Sequence, residues 1–267
     1  MNPSIIGLQQ WFRTPPGRYL LAWEAAQCDA VVEDCFGFHA LQLGVPELPS
    51  LRMNRMPHRW VALPESPAPE AQDAVPVDGL LPDSGHAPEV CLVTDAAALP
   101  FPEASLDLVM LPHTLELSAD PHQVLREVER VLVPEGRVVV SGLNPASLWG
   151  FRQGRARLTQ HLGLGGTLYL PEVGEFIGPW RLRDWMRLLG LEVELEQYGC
   201  YRPAVRSDKW LARTAWMDRA GPRWWPIFGA VYFFVAVKRV RGMRLLGPAW
   251  RPRRAAAASP VSVARRQ

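Results

Sequence analysis

Three short stretches of this 267-residue chain place ionisable residues where apolar runs end. The first is Glu33-Asp34-Cys35-Phe36-Gly37-Phe38-His39, after Ala30-Val31-Val32. The second is Asp95-Ala96, after the run from Val90 to Thr94, with Leu99-Pro100-Phe101 following. The third is Pro112-His113 through Leu115-Glu116, after the run from Leu106 to Leu111. In an open α/β sheet, ligands bind at the carboxyl ends of the strands. Carboxylates there accept hydrogen bonds from hydroxyl and amino groups. A glycine there lets backbone come close to the ligand. A histidine or glutamate in the same place can carry a proton.

Each residue also has a plain structural reading. Asp95 would cap a turn or helix, and Glu33 would be a surface charge at a strand end. A lone His113 would be a hydrogen-bonded structural residue. Cys35 reads as a small packing residue, because no neighbouring base pattern would make it a nucleophile. Cys35 and His39 have no further ligands at a spacing that would hold a metal.

The elements that must position these residues follow from periodicity. Residues 5–28 read as an N-terminal helical segment, broken at Pro15-Pro16-Gly17. Ala30 to Val32 reads as a first strand. Cys35 to His39 then makes a tight turn, and Ala40 to Leu43 is helix-like up to Gly44. Arg59 to Leu63 is a second strand. Residues 64–88 hold six prolines and no sustained period, so they read as a long loop. Val90 to Thr94 and Leu106 to Leu111 are strands, the latter an apolar run, Asp107 apart, as a buried parallel strand is. Asp120-Pro121 opens a helix, with Asp120 as its cap, and Val124, Val128 and Val131 lie on its apolar face. Arg137 to Gly142 is a strand, and residues 144–179 read as glycine-rich and irregular. Arg181 to Leu189 is a helix. Leu191 to Glu196 and the apolar run Ile227 to Val237 close the series as strands. Strands alternating with helices predict a parallel α/β sheet. The last two strands have no regular helical pattern between them, so one of them is expected to run antiparallel.

The block Asp95-Ala96-Ala97-Ala98-Leu99-Pro100-Phe101, Ser105-Leu106-Asp107-Leu108-Val109, Leu115-Glu116 and Glu127-Val128-Glu129-Arg130-Val131-Leu132-Val133-Pro134-Glu135-Gly136 resembles the class I S-adenosylmethionine-dependent methyltransferases, type 11 subfamily. The family pattern is D-A-x-x-L-P-F, S-F-D-x-V, L-E-H, then E-x-x-R-V-L-x-P-G-G. The resemblance is strong over about fifty residues, from Thr94 to Gly142. It implies a Rossmann-like fold with a mostly parallel seven-stranded sheet and one antiparallel strand. It also implies S-adenosylmethionine as cofactor, and methyl transfer to an acceptor it does not identify. By that resemblance Asp95 would accept from the adenine amino group, with the Ala96 amide beside it. Glu65 would stand for the carboxylate that binds both ribose hydroxyls. The family's E/D-x-G-x-G-x-G turn would fall on Glu33, Cys35, Gly37 and His39, where only Glu33 and Gly37 match. Leu117 stands where the family has histidine in L-E-H. His113 and Glu116 would be the candidate bases for an acceptor that must lose a proton.

Composition sets the rest. The apolar fraction of 48% is that of a globular protein. The N-terminus has no signal-peptide pattern. The longest apolar run, Pro226 to Val237, is too short to span a bilayer. Four scattered cysteines form neither a disulfide framework nor a zinc pattern. A cytoplasmic location is the expectation. The organisation expected is a helical segment over 1–29, a methyltransferase-like domain over 30–248 and a disordered basic tail over 249–267. The net charge of +2 conceals a division: residues 219–267 carry 11 basic residues and no carboxylate, and all 27 carboxylates precede them. Such a tail would contact an acidic partner. Two rival readings follow from the degenerate turn. One is a non-catalytic binding or scaffold protein on this fold. The other is a nicotinamide-dependent oxidoreductase, which needs a G-x-G-x-x-G that Cys35 to His39 does not supply.

Overall fold

The computed structural model describes residues 4–64, 90–163, 168–171, 174 and 176–239. The proline-rich stretch from Glu65 on and the basic tail from Val240 lie outside the described residues, and so does Glu65 itself.

Two helices come first. Helix α1 spans Ser4–Phe12 and α2 spans Pro15–Val32. Thr14 starts α2 by accepting a hydrogen bond from the Gly17 amide, and Pro15 occupies the first helical position, where its missing N–H costs nothing. The strands are β1 (His39–Leu43), β2 (His58–Leu63), β3 (Val90–Val93), β4 (Leu106–Pro112), β5 (Leu132–Leu143), β6 (Leu191–Gly199) and β7 (Val231–Lys238). Between them lie α3 (Thr114–Leu117), α4 (Pro121–Val131), α5 (Leu148–His161), α6 (Pro179–Leu188), α7 (Asp208–Arg213) and α8 (Met217–Trp224).

The strands form one sheet in the order β3-β2-β1-β4-β5-β7-β6. All pairings from β3 to β5 are parallel, and β7 runs antiparallel to both of its neighbours. The seven strands and the single reversed one agree with the architecture expected from the sequence. Successive residues of the central strands alternate between two apolar layers, as the twofold period of a strand requires. Ala40, Leu108, Met110 and Phe233 pack with α1, α2 and Trp149 of α5. Leu41, Val109, Leu111, Val140 and Phe234 pack with α4 and α6. Helix α4 is built as its sequence predicts. The Asp120 carboxylate accepts from the Gln123 amide at 3.0 Å, and Val124, Leu125, Val128 and Val131 are buried.

Two expectations fail. Ala30-Val31-Val32 is not a strand; it is the last turn of α2. The β-branched pair suits a strand, but Val32 is fully buried on the same helix face as Cys28 and Ala25, and packing overrides propensity. The strand instead begins at His39, in the segment read as helix-like. Residues 144–179 are not uniformly irregular either. Ser147 caps the 14-residue α5 by accepting from the Gly150 amide, and Gly150 and Gly154 within it masked the helix.

Candidate active site at the carboxyl edge of the sheet

The shift of β1 moves the candidate cofactor loop. Glu33 and Gly37 precede β1, so they lie at the amino edge of the sheet, opposite the ligand side. Glu33 is exposed and pairs with Arg55 at 3.4 Å. A Cβ on Gly37 would collide with the carboxyl group of Asp107. That carboxylate accepts from the Phe38 and His39 amides, both at 2.9 Å, and closes the start of β1. The structure therefore does not bring Glu33 and Gly37 to the carboxyl edge where the resemblance expected them. Cys35 is buried, and the Arg137 guanidinium donates to its sulfur at 3.4 Å.

The pattern E/D-x-G-x-G-x-G, set on the observed strand, falls on Gln42, Gly44, Pro46 and Leu48. Only the first glycine survives. Gly44 has φ +74°, a left-handed value that suits glycine, and its amide donates to the Ala62 carbonyl at the end of β2. The fully buried Gln42 takes over the shaping of the loop. Its Nε2 donates to the carbonyls of Val45 (2.9 Å) and Leu48 (2.8 Å), and its Oε1 accepts from the Ser50 hydroxyl (2.7 Å) and amide (3.2 Å). A neutral amide can do this because it both donates and accepts; the family's carboxylate only accepts. Next in the loop, Glu47 has a buried Oε2 with no hydrogen-bond partner among the described residues, and burial pushes its carboxyl group up.

The end of β3 carries Asp95 and Ala96, at the edge where the sequence places them. Asp95 Oδ1 accepts from the Ala97 amide at 2.9 Å, so the turn-capping reading of Asp95 is realised. The second carboxylate oxygen makes no hydrogen bond among the described residues, and the residue is exposed. The Arg130 guanidinium donates to the carbonyls of Leu99 and Phe101, tying the Leu99-Pro100-Phe101 segment to α4.

The end of β4 is closed. His113 stands at φ 51°, an uncommon value for a residue with a side chain. Its Nδ1 lies 2.8 Å from Glu116 Oε2, and its Nε2 lies 3.1 Å from Oε1 of Glu24 on α2. All three side chains are buried, and the Phe12 ring lies 5.9 Å from the imidazole. Glu116 Oε1 accepts from the Leu143 amide, which links the cluster to β5. Burial opposes charge on His113, but the Glu24 and Glu116 carboxylates outweigh it and push the imidazole up to about 10. Burial also raises the Glu116 carboxyl group, against the pull of His113. Gly142 allows this approach: a Cβ there would meet the Tyr232 hydroxyl and Glu116 Oε1. The structure therefore brings His113 and Glu116 together, but encloses them under α1 and α2. At neutral pH His113 already holds its proton, so this arrangement does not support it as a base.

A third region lies at the same edge. The β5–α5 turn, the segment after β6 and the turn before β7 converge there, since Gly199 and Leu143 both pair with Val231. They enclose a cavity of about 370 Å³ lined by Leu148, Phe151, Tyr201, Met217, Trp225 and Phe228, with Ala146 and Ser147. Its two hydroxyls are already engaged. Tyr201 donates to the Pro226 carbonyl at 2.6 Å, and Ser147 donates to the Asn144 carbonyl at 2.6 Å.

Sequence reasoning missed Glu24, Gln42, Gly44 and Glu47. Gln42-x-Gly44 at the end of the run Ala40-Leu41-Gln42-Leu43 was the available signal for the loop. Nothing local marked Glu24, which meets His113 across a separation of 89 positions.

Comparison with known proteins bears on the fold and on one segment of the chain. Residues 70–140 match the family model described as "Methyltransferase domain". The chain is 36% identical over 99 residues to the uncharacterized protein YafS of Escherichia coli, covering 37% of this chain and 38% of that protein. It is 35% identical over 116 residues to a demethylmenaquinone methyltransferase of Thermus thermophilus, covering 39% of this chain and 53% of that one. The chain thus spans about half or less of the length of these relatives. Among solved structures, an S-adenosylmethionine-dependent methyltransferase from Archaeoglobus fulgidus superposes with a TM-score of 0.52 at 15% identity, covering 83% of this chain and 94% of that one. The chain has the class I S-adenosylmethionine-dependent methyltransferase fold, and its matched segment is the one that carries Asp95, β4, α4 and the start of β5.

Proposed function

We propose that the protein transfers a methyl group from S-adenosylmethionine to an apolar, ring-bearing acceptor of the quinone type. The observation that carries the acceptor class is the cavity at the ends of β5 and β6. Aromatic and aliphatic side chains line it, and its hydroxyls are spent on the protein's own carbonyls. A polar acceptor would leave its own groups unpaired there. The partial match to a demethylmenaquinone methyltransferase supports the same class.

The residues present fit the cofactor. Asp95 offers a free carboxylate oxygen beside the Ala96 amide. Gly44 permits close backbone approach. The orphaned Glu47 Oε2 is an acceptor suited to a cationic ammonium group. Glu65 would supply the ribose carboxylate. When bound, S-adenosylmethionine would supply an electrophilic methyl carbon next to the acceptor. The chain's part is to orient the two and exclude water. His113 and Glu116 serve as positioning residues in this reading: they hold α2 against the end of β4. A His113→Gln variant should therefore lower kcat while leaving the shape of the pH–rate profile unchanged; loss of one limb of the profile would restore the base role.

The basic tail is the proposed contact for an acidic partner. The test of function is methyl transfer from labelled cofactor to a demethylated quinol, set against polar phenols. Transfer to the quinol alone supports the reading. Transfer to none of them, with no binding of S-adenosylhomocysteine, favours the non-catalytic scaffold.

A further inference from the structure

Helix α5 is an unusual surface helix. Only Trp149 and Gln153 of it are buried. Leu148, Phe151, Leu158 and Leu162 are 52%, 71%, 60% and 64% exposed, at alternating helical spacings that place them in one stripe with Arg155. The helix contains Arg152, Arg155 and Arg157 and no carboxylate. Phe228, which lines the cavity with Leu148 and Phe151 of α5, is 48% exposed, and Trp224 at the end of α8, next in the chain to the cavity-lining Trp225, is 73% exposed. Single exposed apolar residues need no explanation; a contiguous set does. The cavity joins the α5 stripe to its neighbours, because Leu148 and Phe151 from α5, Trp225 after α8 and Phe228 from the turn before β7 line it together.

The charge around this face has one sign. Arg155, Arg219 and Arg223 are exposed and make no ion pair with a carboxylate among the described residues. The two carboxylates of α7 and α8 are engaged: Asp208 lies 3.5 Å from Arg18, and Asp218 lies 2.8 Å from Arg202 and accepts from Tyr19. An exposed stripe of leucine and phenylalanine that carries an unpaired arginine, as Leu148, Phe151, Arg155, Leu158 and Leu162 form on α5, is the pattern of a helix face that lies in a bilayer interface. No helix among the described residues is long and apolar enough to cross a membrane.

We infer that the face formed by α5, the end of α8 and Phe228 docks onto an anionic phospholipid surface, with the apolar cavity opening toward the lipid. The arginines meet the headgroup phosphates, and Leu148, Phe151 and Trp224 enter the acyl boundary. The inference deepens the proposed function: an acceptor dissolved in the bilayer would reach the cavity without crossing water. The 11 basic residues of 219–267, with no carboxylate among them, add to the same attraction.

The test is flotation of the full chain with vesicles of phosphatidylcholine alone and of phosphatidylcholine mixed with phosphatidylglycerol. The chain should float with the anionic vesicles only, and less as salt rises. Phe151→Ser with Trp224→Ser should abolish the tryptophan blue shift on binding. Arg155→Glu should weaken binding at least about tenfold, since each basic residue near an anionic surface contributes on the order of a factor of five. Equal flotation of wild type and these variants would assign the binding to the tail and overturn the inference. Failure of the wild type to bind either vesicle would overturn it too, and would favour a protein partner for this face. Binding of S-adenosylhomocysteine, measured on the same samples without lipid, reports on the methyltransferase reading separately. Retained cofactor binding beside absent flotation would sink the docking surface alone.

Discussion

Strands β1 and β4 are neighbours, and each ends in a buried polar hub of a different kind. At β1, Gln42 makes short, aligned bonds to two carbonyls and to Ser50, and its amide carries no net charge. At β4, His113 lies between Glu24 and Glu116, and His113 Nε2 and both Glu24 oxygens have no aligned hydrogen bond among the described residues. Buried charge is held only by its partners, whereas a satisfied buried amide costs little. The β1 hub therefore reads as a device for shaping a loop. The β4 hub couples the N-terminal helices to the sheet, and its strength depends on proton occupancy.

Removing one partner from the charged hub is the most damaging change. Glu24→Leu leaves a buried imidazolium with one carboxylate fewer and should destabilise by about 3–5 kcal/mol in denaturant unfolding. A loss below about 1 kcal/mol would mean that the hub is solvated. The same hub sets a pH dependence. His113 has a folded value of about 10 against 6.5 unfolded, so its contribution is fully present below pH 6.5 and is lost as pH rises through about 10. Stability should fall by a few kcal/mol between pH 7 and 10, at about 1.4 kcal/mol for each unit of difference. In His113→Gln that slope should flatten. Breaking the neutral hub should cost less: Gln42→Ala strands buried carbonyls and should destabilise by about 2–3 kcal/mol, with no change in the pH slope. Asp95→Ala should leave stability nearly unchanged, since the residue is exposed, and weaken S-adenosylhomocysteine by about tenfold, the range of one charge-assisted hydrogen bond.

The two hubs also differ in how far the chain reveals them. The region from Thr94 to Gly142 is legible because each signal there is local. Asp120 caps α4, valines at helical spacing define its buried face, and Leu108 to Leu111 is apolar and buried on both sides, as a central parallel strand must be. The reversed strand followed from the lack of a regular helical pattern between the last two strands, although the short helices α7 and α8 do lie there. The first strand was displaced because Val31 and Val32 favour extended backbone in isolation, while burial of α2 against the sheet keeps them helical. That error carried Glu33 and Gly37 to the wrong edge. Asp95 reached the right edge, since its strand and turn share the same dozen residues. His113 and Glu116 were found as a pair, but their enclosure depends on Glu24, and no local pattern reports a contact across 89 positions. Helix α5 was hidden by Gly150, which is required where the helix passes the Pro145 carbonyl.

The central claim is that the altered turn Gly44-Val45-Pro46-Glu47-Leu48, shaped by Gln42, still receives the cofactor together with Asp95. Calorimetric titration of the intact chain with S-adenosylhomocysteine tests it most directly. The account predicts saturable one-site binding, weakened by Asp95→Ala and by Glu47→Gln, and left intact by Glu33→Ala. No binding by the wild type, or a loss confined to Glu33→Ala, would contradict it.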